Sequence, residues 1–283
     1  MQSNPNFFWG LWEYCEEKQT VEQEDSEIVQ SLRKNGAHII ESYFSEEELQ
    51  ILRQNWEYAF MSFPDMSKIP FQNKRFKRAQ QGGVTYIKGG PDDGRTRIMY
   101  FRPYKLFSIK LKDLLVKNTY LNKIVQEYFY LKNTFRPSQI MMEGLKPTRF
   151  NRTDKYWHID NLSDQFKVMI VLEDMTEDDG PFSFIPSSHR IQPHQKDRYH
   201  KMYSMSGIGT HAHNHFEASF TEHERAKTVV AKAGDIVLFD CRIHHSGNFV
   251  QNSGSRKNMV LFYNNTPTLR NKILLQVNPY LHW

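Results

Sequence analysis

From residue 138 to residue 264 the chain is a run of short, mostly apolar segments separated by turn signals. No other feature restricts the fold as much. Strand candidates occupy 138–144, 155–160, 166–173, 182–185, 227–231, 235–240 and 256–264, with turns such as Asp178-Asp179-Gly180 and Ala233-Gly234 between them. Short strands at close intervals bury one face against a second sheet, so this part is expected to form a double-sheet barrel or jelly roll. The chain before it is patterned differently. Residues 24–34 put Ile28, Val29 and Leu32 on one helical face, with Gly36 as the stop, and Ala37-His38-Ile39-Ile40 reads as a short strand. Ser45-Glu46-Glu47-Glu48 is a capping box. It opens a helix to about residue 60 that carries Leu49, Leu52 and Trp56 at helical spacing. A second long helix is expected over 109–131, where Leu111, Leu114, Leu115, Leu121, Ile124, Val125 and Tyr128 form an apolar stripe. The expectation is a mainly β fold with flanking helices, one domain over 1–283. Its N-terminal helical part covers about 1–135 and its β core about 136–265.

Three stretches fall outside this pattern. Residues 63–95 lack periodicity and are rich in Pro, Gly and charge, so they read as a long connection, a lid or a surface loop. The basic run Lys74-Arg75-Phe76-Lys77-Arg78 inside it reads as a solvated loop rather than a nucleic-acid contact. Residues 191–226 form a polar insert, and its His211-Ala212-His213-Asn214-His215 reads as an exposed tract rather than a metal site. The aromatic-rich residues 1–22 are expected to pack onto the body as an arm. A content of 20 Phe, 14 Tyr and 5 Trp argues against disorder. Two cysteines, Cys15 and Cys241, lie outside any CxxC spacing, which excludes a thiolate zinc site and fits a reducing compartment. There is no basic-then-apolar leader and no run of ~20 apolar residues. The expected protein is soluble and cytoplasmic and acts on a small molecule, without a nucleic-acid or membrane partner. Its oligomeric state is not legible.

The chemistry is concentrated in two places. Trp157-His158-Ile159-Asp160 puts an imidazole and a carboxylate on one side of an extended segment, because side chains alternate along a strand. Downstream, Gly234-Asp235 opens an apolar strand that leads to His244-His245-Ser246-Gly247, and Arg256 follows eleven residues after His245. An H-x-D pair with a distant histidine makes the two-histidine, one-carboxylate set that suits Fe(II) with positions left open. An arginine further on suits the distal carboxylate of a 2-oxo acid, because its fork makes two charge-assisted bonds. This order is the logic of a site for Fe(II), 2-oxoglutarate and dioxygen.

From about residue 36 to 263 the chain resembles the phytanoyl-CoA dioxygenase family, which includes ectoine hydroxylase. The resemblance rests on Gly36-Ala37-His38-Ile39-Ile40, the H-x-D stretch, Leu172-Glu173-Asp174 with Asp179-Gly180-Pro181, Ile185-Pro186-Ser187-Ser188-His189-Arg190, and Gly234-Asp235 with His245 and Arg256. It implies a double-stranded β-helix (a cupin-like jelly roll), iron held by His158, Asp160 and His245, and 2-oxoglutarate anchored by Arg256. His244 competes for the third position, since Ser246-Gly247 would then complete an H-x-S-G pattern; spacing favours His245. The resemblance also puts Met142 in the cosubstrate pocket and offers Ser246 as the hydroxyl near the distal histidine. Met169 stands where relatives often carry Trp. His189 is read as a structural cap, and Asp235 and Asp240 as turn and strand-end residues. The implied reaction is hydroxylation with release of succinate and CO2. Competing readings are an inactive ligand-binding protein of this fold and a cupin-like isomerase.

Overall fold

The computed structural model describes residues 25–71, 76–89, 94–101, 108–131, 135–147, 157–160, 165–190, 224–247, 250–251 and 254–264. The aromatic stretch 1–22, most of the 191–226 insert and its HAHNH tract lie outside the described residues.

The most apolar segments take the centre of a large sheet because both of their faces are covered. The strand Ile236–Asp240 (β9) is buried at every position, and Arg256–Asn264 (β11) at all but Lys257 and Asn264. β9 lies between Ala37–Ile40 (β1) and Gln165–Val171 (β6), and β11 lies between β6 and Gln139–Leu145 (β5), all antiparallel. Beyond β5 the sheet continues through Arg95–Tyr100 (β4), Val84–Gly89 (β3) and Phe76–Gln81 (β2). A smaller sheet in the order His245–Gly247 (β10), Phe182–Phe184 (β7) and Lys227–Thr228 (β8) accompanies it. Two antiparallel sheets of this kind are the jelly-roll arrangement.

Alternation divides the large sheet into two faces. Val84, Ile98, Ile140, Met142, Val168, Leu238, Met259 and Leu261 join one core with the helices. Met141, Met169, Val171, Val237, Phe239, Val260 and Phe262 join a second core with Phe182 and Phe184 from the small sheet and Val229 just beyond it. The helices are Glu27–Asn35 (α1), Glu46–Met61 (α2), Ile109–Leu115 (α3) and Thr119–Tyr128 (α4). The expected capping box opens α2: Ser45 Oγ accepts from the Glu48 amide at 3.3 Å, and Glu48 Oε2 accepts from the Ser45 amide at 3.0 Å.

Three expectations are corrected. The single helix over 109–131 is two helices. Asn118 Oδ1 accepts from the Leu121 amide at 3.0 Å and from Tyr43 Oη at 2.9 Å, so it caps α4 in the middle of the apolar stripe. The stretch 63–95 is not a plain connection, because β2 and β3 form a hairpin closed by Gly82 and Gly83, both at positive φ, the backbone a two-residue turn needs. The run Phe76-Lys77-Arg78 is therefore strand rather than loop, and the part before residue 136 supplies half of the large sheet.

The turn after β7 closes the end of α1. Ser187 Oγ donates to the Lys34 carbonyl at 2.8 Å, and His189 Nε2 donates to the Arg33 carbonyl at 3.1 Å. Gly36, at φ 81°, leaves room for that imidazole: a Cβ there would lie 2.5 Å from His189 Nδ1. Burial first, then Arg242 and Arg190 against the opposing pull of Asp240, pushes His189 down to about 4 from 6.5. The folded pKa lies below the unfolded one, so the neutral ring's contribution is complete above pH 6.5 and is lost as pH falls towards 4. Chemical denaturation midpoints are expected to decline across that window and to decline less in His189→Gln; identical slopes would contradict the assignment.

Candidate metal centre

His158 and His245 are held by each other's backbone. The His158 N–H donates to the His245 carbonyl, and the His245 N–H to the His158 carbonyl, both at 2.9 Å. The Asp160 N–H donates to the Cys241 carbonyl at 3.0 Å. Trp157 and Ile159 turn into apolar surroundings, which leaves His158 and Asp160 on the other side of the segment. There they meet His245. Its Nε2 lies 3.0 Å from Asp160 Oδ2, and His158 Nε2 lies 3.6 Å from Asp160 Oδ1. One ligand atom from each residue falls within 4.8 Å of the others.

The donor set is prepared by its surroundings. His245 Nδ1 is 2.9 Å from the Ile243 carbonyl, which only accepts, so Nδ1 carries a proton and the ring is turned with Nε2 towards the cluster. Phe182 and Phe239 stand 5.5 Å from the His245 ring, centroid to centroid. Burial alone would raise Asp160, but the Lys167 ammonium at 2.6 Å and the His245 imidazole outweigh it and hold the carboxyl well below its usual range. Lys167 is desolvated too, and Asp160 keeps it charged. A carboxylate with two imidazole nitrogens is the set that suits Fe(II) with open positions.

Arg256 lies on the same inner face. Its Nη1 donates to the Gly180 carbonyl and its Nη2 to Glu143 Oε1 at 3.2 Å, while Nε is a buried donor without a partner. Gly247 faces the guanidinium: a Cβ there would sit 3.5 Å from Nη2. Asn258, two residues along β11, has a buried Oδ1 without a partner. A buried donor without a partner fits the end of a carboxylate ligand.

The structure thus brings His158, Asp160 and His245 together, with Arg256 on the facing sheet. It does not bring Met142 there. Met142 pairs with Ile98 and Met259 in the helix-side core, and its neighbour Met141 takes the inner face. Ser246 is also turned away. It points opposite to His245 and Gly247 on β10, and its buried hydroxyl has no hydrogen-bond partner. Both departures follow from the two-residue period of a strand. His244 is buried outside the cluster, with its amide on Ser188 Oγ at 2.8 Å. Met169 lies on the inner face, where its sulfur accepts from Asn258.

Sequence reasoning missed Lys167, Glu143 and Arg97. The available signal was a charge inside an otherwise apolar strand, Gln165-Phe166-Lys167-Val168 and Met141-Met142-Glu143-Gly144, since a buried charge needs a partner. Glu143 pairs with Arg97 and Arg256. Burial would raise its pKa, but Arg97, Arg256 and Arg95 hold it at about 2. Its stabilising charge is present above the ordinary value of 4.5 and lost as pH falls towards 2. Glu143→Gln leaves two guanidiniums without this carboxylate and should cost about 3 kcal/mol at neutral pH, read by chemical denaturation.

Comparison with known proteins matches this geometry. A family model described as Phytanoyl-CoA dioxygenase (PhyH) matches residues 32–258. Ectoine dioxygenase from Bordetella bronchiseptica is 22% identical over 261 residues, covering 89% of this chain and 79% of that protein. Among solved structures, EctD from S. alaskensis superposes with a TM-score of 0.55 at 19% identity, covering 87% of this chain and 79% of that one. The non-heme alpha-ketoglutarate-dependent epimerase SnoN from nogalamycin biosynthesis gives 0.55 at 14% identity, covering 84% and 82%. These structural likenesses speak to the fold; the family match spans four-fifths of the chain and speaks to descent. The chain belongs to the phytanoyl-CoA dioxygenase family, and so to the iron- and 2-oxoglutarate-dependent oxygenases.

Proposed function

We propose that this protein hydroxylates a small organic molecule, converting 2-oxoglutarate and dioxygen to succinate and CO2 as it does so. One oxygen atom enters the substrate C–H bond and the other enters succinate, which balances the reaction without a further reductant. The observation that carries the reading is the approach of the His158, Asp160 and His245 ligand atoms to within 4.8 Å of one another. In this reading the three residues hold Fe(II), which when bound supplies the oxidising chemistry. Arg256 receives the distal carboxylate of 2-oxoglutarate through its orphaned Nε and fork. Lys167 and the His245 Nδ1–H bond fix the orientation of the ligands. The aromatic wall of Phe182 and Phe239 keeps water from the reacting centre. Asp160 fills the carboxylate position, leaving no ligand seat for a halide, so hydroxylation is favoured over halogenation. No helix among the described residues is long and apolar enough to cross a membrane.

The test is spectroscopic and then chemical. Anaerobic addition of Fe(II) and 2-oxoglutarate should give the visible band of the metal chelate in wild type and in His244→Ala, and no band in His245→Ala. Admission of oxygen should give succinate in wild type, with the rate falling at least about a hundredfold in Asp160→Ala. Absence of the band in wild type would instead point to an inactive ligand-binding protein of this fold.

A further inference from the structure

A turn of the small sheet holds the start of β11, and with it Arg256. The 3₁₀ turn Glu177–Asp179 follows Met175, whose backbone bridges to Ala231 just after β8, and it leads into β7. Asp179, half-buried at its end, engages both carboxylate oxygens. Oδ2 accepts from the Thr176 N–H at 2.9 Å and from Thr176 Oγ1 at 2.6 Å, which closes the turn. Oδ1 accepts at 2.9 Å from the N–H of Ser255, the residue immediately before β11 of the large sheet. Two further bonds join the same pieces. The Gln251 N–H donates to the Asp178 carbonyl at 2.7 Å, and Arg256 Nη1 donates to the Gly180 carbonyl. Gly254 permits the approach, because a Cβ there would lie 2.7 Å from Asp179 Oδ1 and 2.8 Å from the Asp178 carbonyl oxygen. Burial would raise the Asp179 carboxyl, but the bonds from Thr176 and Ser255 outweigh it and hold the group below its usual range.

We propose that Asp179 is a positioning residue for the cosubstrate anchor: by clamping the Ser255 amide to the small sheet, it fixes the Arg256 guanidinium where the distal carboxylate of 2-oxoglutarate is received. This rests on the oxygenase reading above and deepens it. A molecule of fixed length has to meet the metal ligands at one end and Arg256 at the other. Those ends are carried by different sheets, His245 by β10 of the small sheet and Arg256 by β11 of the large one. Gly247, two residues beyond His245, already lies against the guanidinium, since a Cβ there would sit 3.5 Å from Nη2. The spacing of the sheets at this point therefore sets the distance between the two ends. A displacement of about an ångström is enough to spoil a forked carboxylate contact. The bond from the Ser255 N–H to a carboxylate is charge-assisted, and it resists that displacement better than a neutral contact would. Asp179 is not a member of the metal cluster and acts through Arg256.

The experiment loads wild-type protein and variants anaerobically with Fe(II), titrates them with 2-oxoglutarate and follows the visible chelate band. Asp179→Ala should weaken 2-oxoglutarate about tenfold, and Asp179→Asn, which keeps an oxygen to accept from Ser255, should weaken it less. Gly254→Ala disturbs the same contact from the other side while leaving Asp179 in place, and a similar weakening is expected. The control is 2-oxobutyrate, a 2-oxo acid without a distal carboxylate. Its affinity, and that of Fe(II), should be the same in wild type and all variants, because neither uses Arg256. Equal 2-oxoglutarate affinity in wild type and Asp179→Ala overturns the inference. So does a parallel loss of 2-oxobutyrate or Fe(II), which would make Asp179 a general support of the fold. Either result with a band in wild type leaves the oxygenase reading standing. Absence of the band in wild type overturns that reading and this inference with it.

Discussion

The charge on Asp160 is the interaction on which the arrangement of the two sheets turns. A carboxylate taken out of water costs several kcal/mol unless cations and hydrogen-bond donors replace the solvent. Here the compensation comes from both sides of the sandwich. Lys167 reaches it from the large sheet, while His245 reaches it from the small sheet, whose β10 is tied to His158 by reciprocal backbone bonds. The apolar core between the sheets would tolerate small slides of one over the other. The carboxylate would not, because a displacement of an ångström or two leaves half-buried Asp160 or Lys167 without its partner. Pairing that charge and bringing the three ligand residues together are one geometric requirement.

The same logic repeats at Arg256. A fully desolvated guanidinium is held by Glu143 and the Gly180 carbonyl, and Glu143 is in turn shared with Arg97. The repetition creates an electrostatic ladder across strands β11, β5 and β4, with sign alternating at each rung.

Much of this was legible in the sequence because the relevant signals are local. Alternating apolar strands, the Ser45 box, the H-x-D spacing and the interval from His245 to Arg256 each lie within a dozen residues or so of chain. What escaped was of two kinds. The hairpin at 76–89 reads Phe-Lys-Arg-Ala-Gln-Gln, then Gly-Gly, then Val-Thr-Tyr-Ile-Lys-Gly. Its apolar period is masked because one face packs on the helix-side core with few residues and the other face carries Arg78, Gln80 and Thr85; Gly82-Gly83 was the surviving cue. The break at Asn118 was similarly hidden by an uninterrupted apolar stripe. The second kind concerns partners. Nothing near Glu143 in the sequence points to Arg256, since that pair forms only when distant strands come into register. Met142 and Ser246 were misplaced by a single position each, which on a strand means the wrong face.

A scaffold shared with an ectoine dioxygenase, an epimerase and a carbocyclase cannot itself dictate which molecule is oxidised. In the proposed reading the metal ligands and Arg256 serve iron and the cosubstrate. The end of the sheet remote from β1 carries none of them: there Val84, Tyr86 and Ile98 pack on the helix-side core, while Arg78, Ile87 and Arg97 turn to the face that carries Lys167 and Arg256. Substitutions at Arg78 or Ile87 change the charge and shape of that face without removing a residue of the His158, Asp160 and His245 cluster. Selectivity can therefore drift while the redox centre stays fixed, and a strand pair that looks like a loop in sequence is where that drift is least constrained by packing.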